Sequence, residues 1–140
     1  MTPVRRQIGL SLIELMVVIA VLAILATIAV PTYERYQLGA RRADGKAGLT
    51  AIALAQERAF SVYQQYKSLA ELETLAGLDH DIAAGQSPKG KYVLSLPTQT
   101  ASAFTARAVP QSTDTDCGTL ELTSAGVKTA TGAKGAAYCW

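Results

Sequence analysis

The run from Leu10 to Val30 constrains this chain more than any other feature. It is 21 residues long and is broken only by Ser11, Glu14 and Thr27. As a helix it spans about 31 Å, the thickness of one hydrocarbon core. Arg5 and Arg6 precede it, which favours a cytoplasmic N-terminus with the remainder crossing the membrane. A cleaved secretory signal would need a small-x-small site after the apolar stretch. The alanines here, Ala20, Ala23, Ala26 and Ala29, fall at spacing three and supply none. A plain membrane anchor explains the run and the arginines. It does not explain Glu14, because a carboxylate at that depth costs about 2.5–3.5 kcal/mol. A positive partner in an assembled state would explain it. A neighbouring chain's free α-amine, made by a cut between Gly9 and Leu10, would serve, since the cut creates a positive terminus four residues before Glu14. An unpaired buried charge is heavily penalised, so such a pair would fix register more than add stability.

The rest of the 140 residues is enough for one ordinary domain. Ala, Leu, Gln, Glu and Arg dominate after Pro31, and Leu49, Ile52, Phe60, Tyr63 and Tyr66 recur near one helical face. The pattern predicts a helix running to about residue 64. Gly39, Gly45 and Gly48 weaken it, marking either a bend or tolerated positions. In "SLAELETLAGL", Ser68 and Glu71 form a capping-box pattern for a short helix. "DHDIAAGQSPKG" reads as loop, with His80, the only histidine, solvated within it. Alternation then sets Tyr92, Leu94 and Leu96 on one face, and Phe104, Ala106 and Ala108 on another. "GTLELTSAGVKTA" reads as strand, turn at Ser124 to Gly126, and short strand. The expected fold class is α+β, a long N-terminal helix packed on an antiparallel sheet of three or four strands. Cys117 and Cys139, an even pair in a chain with an export-like N-terminus, read as a disulfide enclosing 21 residues. Closing such a loop contributes about 3 kcal/mol.

The segment "IGLSLIELMVVIAVLAILATIAVP" resembles the class III signal sequence of type IV pilins and type II secretion pseudopilins. Their pattern is a short basic leader, a glycine, an apolar residue (usually Phe), then T/S-L-I-E-L. Gly9, Ser11, Leu12, Ile13, Glu14 and Leu15 match it, and Leu10 stands where Phe is usual. Pro31 stands where the family has a helix-kinking proline. The resemblance implies that prepilin peptidase removes a leader, residues 1–9, and N-methylates Leu10. It implies a filament-core and transmembrane helix at 10–30 and a periplasmic or extracellular head at 31–140. Glu14 would pair with the Leu10 amine of a neighbouring subunit, and the Cys117–Cys139 loop would be the family's D-region. The stripe of small residues at Ala20 to Ala29 suits closely bundled helices. "DCGTLELTSAGVKTATG" and the terminal "CW" resemble minor pilins of the PilE/ComP-like branch.

No Ser/His/Asp arrangement, P-loop or GxGxxG occurs in the sequence, so no enzyme is expected, and no cofactor or metal. Asp114 and Asp116, which could be offered for calcium, read as a solvated turn. The leading expectation is a structural subunit, a minor pilin of a type IV pilus. Its implied partners are other pilins, prepilin peptidase and the inner-membrane assembly platform. It would sit in the inner membrane before assembly and in the extracellular pilus after it. Motility, adhesion and DNA uptake are what the resemblance implies for such filaments. A DNA-capturing uptake receptor is the second reading. Phosphate contacts need clustered cations, and residues 38–140 hold ten basic against nine acidic side chains. That near-balance argues against strong binding, although Lys89, Lys91, Lys128 and Lys134 could converge on one face. A type II secretion pseudopilin is the third, disfavoured by the C-terminal loop.

Overall fold

A computed structural model describes residues 11–140. Four helices and four strands follow in order: α1 (Leu12–Tyr63), α2 (Leu69–Ala76), α3 (His80–Ala83), β1 (Tyr92–Gln99), β2 (Phe104–Pro110), β3 (Leu120–Thr123), β4 (Lys128–Ala130) and α4 (Gly135–Cys139). The chain divides into two compact units, Met1–Gln37 and Leu38–Trp140.

In the first unit α1 is continuous through Pro31. That proline lacks the N–H that would bond the Thr27 carbonyl. Every large apolar side chain from Leu12 to Val30 is at least 50% exposed. An 18-residue window reaches a mean hydropathy of 2.8, so the segment is long and apolar enough to cross a bilayer. A bare apolar helix of this kind is stable only where lipid or other helices cover it.

The second unit has its own core. The strands form an antiparallel meander in the order β1-β2-β3-β4, and Leu94, Ala108, Leu120 and Ala130 align across it. Leu49, Ile52, Ala55 and Ala59 of α1 share one buried cluster with Tyr92, Leu94, Phe104, Ala106, Ala108, Leu120 and Leu122 of the sheet. The alternation expected in β1 fails after Leu94. A register shift between Ser95 and Thr98 leaves Leu96 only half-buried. Past Gln64, which ends α1 at φ 54, Tyr66 closes the core. Its ring lies 4.8 Å from Phe60 and 4.9 Å, edge-on, from Phe104. Tyr63, expected on the same face, is 42% exposed.

Of the three α1 glycines, Gly39 occupies a tolerant site, whereas Gly45 and Gly48 do not. Gly45 and Gly48 are buried, and they let β1 approach. A Cβ at Gly45 would meet the Tyr92 ring at 2.9 Å, and one at Gly48 would meet Leu94 at 2.7 Å, whereas Gly39 has open space. Tyr92 is 1% exposed and has nowhere to move. Gly39→Ala should therefore stabilise the head by about 0.5–1 kcal/mol. Gly45→Ala should destabilise it, because overpacking costs about 1–3 kcal/mol against a helix gain of about 1 kcal/mol. Urea melts of the two variants would show opposite signs. Equal shifts would refute the close-packing account.

The capping box at Ser68 and Glu71 forms as expected. The stretch read as loop after it is corrected at its start. Asp79 accepts the N–H groups of Asp81 and Ile82 and starts the one-turn helix α3, so His80 is helical. Its Nδ1 lies 2.8 Å from Glu73, and that hydrogen bond raises its pKa. The short α4 was not expected from the sequence at all.

Candidate assembly segment and head surface

Gly9 and Leu10, the expected cleavage and methylation sites, lie outside the described residues. Glu14 stands in the first turn of α1. Its Oε2 accepts the N–H of Ser11 at 3.0 Å, so in a single chain the carboxylate caps its own helix. A negative group there also faces the positive end of the helix dipole.

Three buried polar side chains on α1 fasten the head, and periodicity alone gave no sign of them. Arg42 donates through Nε and Nη2 to both carboxylate oxygens of Asp114, each at 2.7 Å. The two side chains are 9% and 4% exposed. Asp114 also accepts the Cys117 N–H at 3.2 Å. The Arg42 hydrogen bond holds the Asp114 carboxyl below the usual carboxylate range, and the same bond raises the guanidinium pKa. The expectation of a solvated turn at Asp114 and Asp116 is thus wrong for Asp114. Asp116 is partly exposed and pairs with Lys134 at 3.0 Å.

Asp44, the second, accepts Ser87 Oγ at 2.5 Å, Lys89 N–H at 2.8 Å and Lys91 N–H at 3.1 Å. It locks the loop that leads into β1. Gln56, the third, is fully buried. Its amide donates to the Lys67 carbonyl and accepts the Lys67 N–H, at 2.7 and 2.9 Å.

Cys117 and Cys139 form the expected disulfide, with Cα atoms 5.5 Å apart. The loop closes on itself. Gly132, Ala133 and Lys134 donate backbone N–H bonds to Cys117, Thr115 and Asp116. Trp140 Nε1 donates to the Thr129 carbonyl at 2.9 Å, and Lys128 lies 5.1 Å from its ring centre. Replacing both cysteines by serine should lower stability by about 3 kcal/mol, read from the urea midpoint. An unchanged midpoint would show that the backbone ladder alone closes the loop.

The four lysines do not converge. Lys89 and Lys91 immediately precede β1, while Lys128 lies on β4 opposite Leu122, on the far edge strand. Strand spacing and register put Lys91 and Lys128 about 20 Å apart. Lys134 is held by Asp116.

A long N-terminal helix, a four-stranded antiparallel meander and a C-terminal disulfide loop together define a type IV pilin. Two family comparisons divide the chain between them. Residues 4–30 match the prokaryotic N-terminal methylation motif. Residues 31–121 match the family described as type IV minor pilin ComP, DNA uptake sequence receptor, and the chain belongs to that family. Over 65 residues it is 38% identical to the type IV major pilin protein PilA of Myxococcus xanthus (strain DK1622). That stretch is 46% of this chain and 30% of the relative, so the chain matches less than a third of the relative's length.

Proposed function

We propose that the chain is a minor pilin that is held in the inner membrane by residues 10–30, assembled into a type IV pilus, and used there to receive DNA during uptake. Prepilin peptidase cleaves after Gly9 and methylates Leu10. Glu14 then meets the Leu10 amine of a neighbouring pilin as the assembly platform extracts the subunit. Pro31 bends the helix where the apolar run ends. The observation that carries this reading is the direct succession of the two matches, a methylation motif over 4–30 and a DNA-uptake pilin head over 31–121. The head match also favours a pilus over a secretion filament. Adhesion and retraction-driven motility would follow from membership of the same filament.

The orientation rests on the leader rather than on charge counting. Arg35, Arg41, Arg42 and Lys46 follow the span and outnumber Arg5 and Arg6. Long heads cross largely regardless of charge.

Pairing within the head leaves the balance of ten against nine unchanged, since four ion pairs leave six cations and five carboxylates without a Lys or Arg partner. Asp114, Asp116, Glu71 and Glu121 are engaged with Arg42, Lys134, Lys67 and Arg107. Among the described residues, Arg41, Lys46, Arg58, Lys89, Lys91 and Lys128 have no carboxylate within ion-pair distance. A retardation assay with the detergent-solubilised chain and duplex DNA should show a complex at low salt that weakens steeply as salt rises. No shift at low salt would sink the DNA reading and leave the filament reading standing.

A further inference from the structure

We infer that Arg41, Lys89 and Lys91, with Gln111 and Ser112, form the surface that holds the phosphodiester backbone of a DNA duplex. The inference rests on the DNA reading of the proposed function and adds to it a place and a mode of contact. All five residues belong to the unit Leu38–Trp140. They meet at the end of the sheet where Tyr92 of β1 pairs with Pro110 of β2. The Asp44 carboxylate accepts the Lys89 and Lys91 N–H groups, so the loop backbone is fixed while both side chains are exposed. The Lys91 carbonyl accepts the Gln111 N–H at 3.0 Å. The Arg41 guanidinium donates to the hydroxyl of the next residue, Ser112, at 2.8 Å. That hydroxyl accepts from Arg41 and keeps its own O–H to donate. Among the described residues no carboxylate lies within ion-pair distance of the three cations.

Phosphate is the ligand chemistry that this surface fits. Its polar groups are ammonium, guanidinium, amide and hydroxyl, the side chains that contact phosphate oxygens in duplexes. The nearby Asp44 carboxylate is buried, with its oxygens turned to the Ser87 hydroxyl and to the Lys89 and Lys91 N–H groups. Three exposed or half-buried cations thus stand against one buried carboxylate. Arg42 and Asp114, the neighbouring pair, neutralise each other. The surface also falls wholly within residues 31–121, on which the DNA reading rests, whereas Lys128 and Lys134 fall outside them. Phosphate contacts fix the position of a duplex and carry no sequence information. The surface should therefore hold duplexes of any sequence alike.

The test is the salt dependence of duplex binding by the detergent-solubilised full chain, read by fluorescence anisotropy with two duplexes of unrelated sequence. Lys89→Gln with Lys91→Gln removes two charges and leaves the backbone bonds to Asp44 in place. Each lost phosphate contact lowers the slope of log K against log salt by about 0.9, and affinity at 0.1 M salt by about eightfold. The double variant should therefore lose about 1.8 in slope, equally for both duplexes. Adding Arg41→Gln should remove about 0.9 more. Lys128→Gln, on the far edge strand, should leave the slope unchanged. An unchanged slope in the double variant, with wild type binding, would overturn the inference and leave the DNA reading standing. An equal fall per lysine in Lys128→Gln would also overturn it, since the cations would then act through net charge alone. A double variant that keeps its duplex binding but loses binding to polyglutamate would assign the surface to an acidic protein instead. A wild-type chain that binds neither duplex at low salt would sink the DNA reading, and this inference with it.

Discussion

A chain carrying Glu14→Ala should enter the membrane, lose residues 1–9 and be methylated as usual, yet be largely absent from surface filaments. Among the described residues Glu14 has one hydrogen-bond partner, the Ser11 N–H. Losing that cap costs about 1 kcal/mol, a small perturbation for a helix of 52 residues. A severe assembly defect must therefore come from another chain. In the proposed filament core the carboxylate and a neighbouring α-amine would be each other's compensation. Removing one partner leaves a buried charge unpaired, at about 3–5 kcal/mol. Glu14→Gln keeps the shape and loses the charge, so it should fail as well. Filaments that take up either variant at the normal level would refute the pairing. Immunoblots of sheared filaments against membrane fractions would decide between these outcomes.

Arg42→Ala should cost the head about 3–5 kcal/mol, because it leaves the Asp114 carboxylate buried without its cation. Asp114→Asn should come close to the same loss. The double variant Arg42→Met with Asp114→Leu should recover much of it, since packed apolar groups replace a buried pair at little cost. The pH dependence separates charge from packing. The folded-state pKa of Asp114 is depressed. Its contribution is thus fully present above the unfolded carboxylate pKa and is lost as pH falls through the folded value. The guanidinium stays charged throughout, its pKa being raised. Wild type and Arg42→Ala should therefore converge in stability below the ordinary carboxylate range. A constant gap across that range would mean that Arg42 acts through its aliphatic stem alone.

The parts of the fold legible in the sequence were those carried by periodicity and local chemistry. The alternating strands and the capping box bear their structure in a few neighbouring residues, and the cysteines were legible because the sequence holds just two. The parts that were not legible depend on residues far apart in the chain. Arg42 meets Asp114 at a separation of 72, and Asp44 meets Ser87 at 43. Nothing near Asp114 in the chain tells a buried acceptor from a solvated turn. Gly45 and Gly48 were ambiguous for the same reason, since the Tyr92 and Leu94 side chains that require them lie on β1. The one-turn helices α3 and α4 are too short to leave a periodic signal. The assembly motif behaves in the opposite way. Glu14 is conspicuous in the sequence as an acid within an apolar run, while among the described residues of a single chain it shows only its bond to the Ser11 N–H.

Processing and incorporation into a filament are the properties on which the proposed function depends most. The direct measurement is mass spectrometry of the N-terminal peptide of this protein, recovered from filaments sheared from the cell surface. The expected peptide begins at Leu10 and carries one added methyl group on its α-amine. A peptide that begins at Met1 or at any residue other than Leu10 would contradict the proposed function, as would absence of the protein from the sheared filaments.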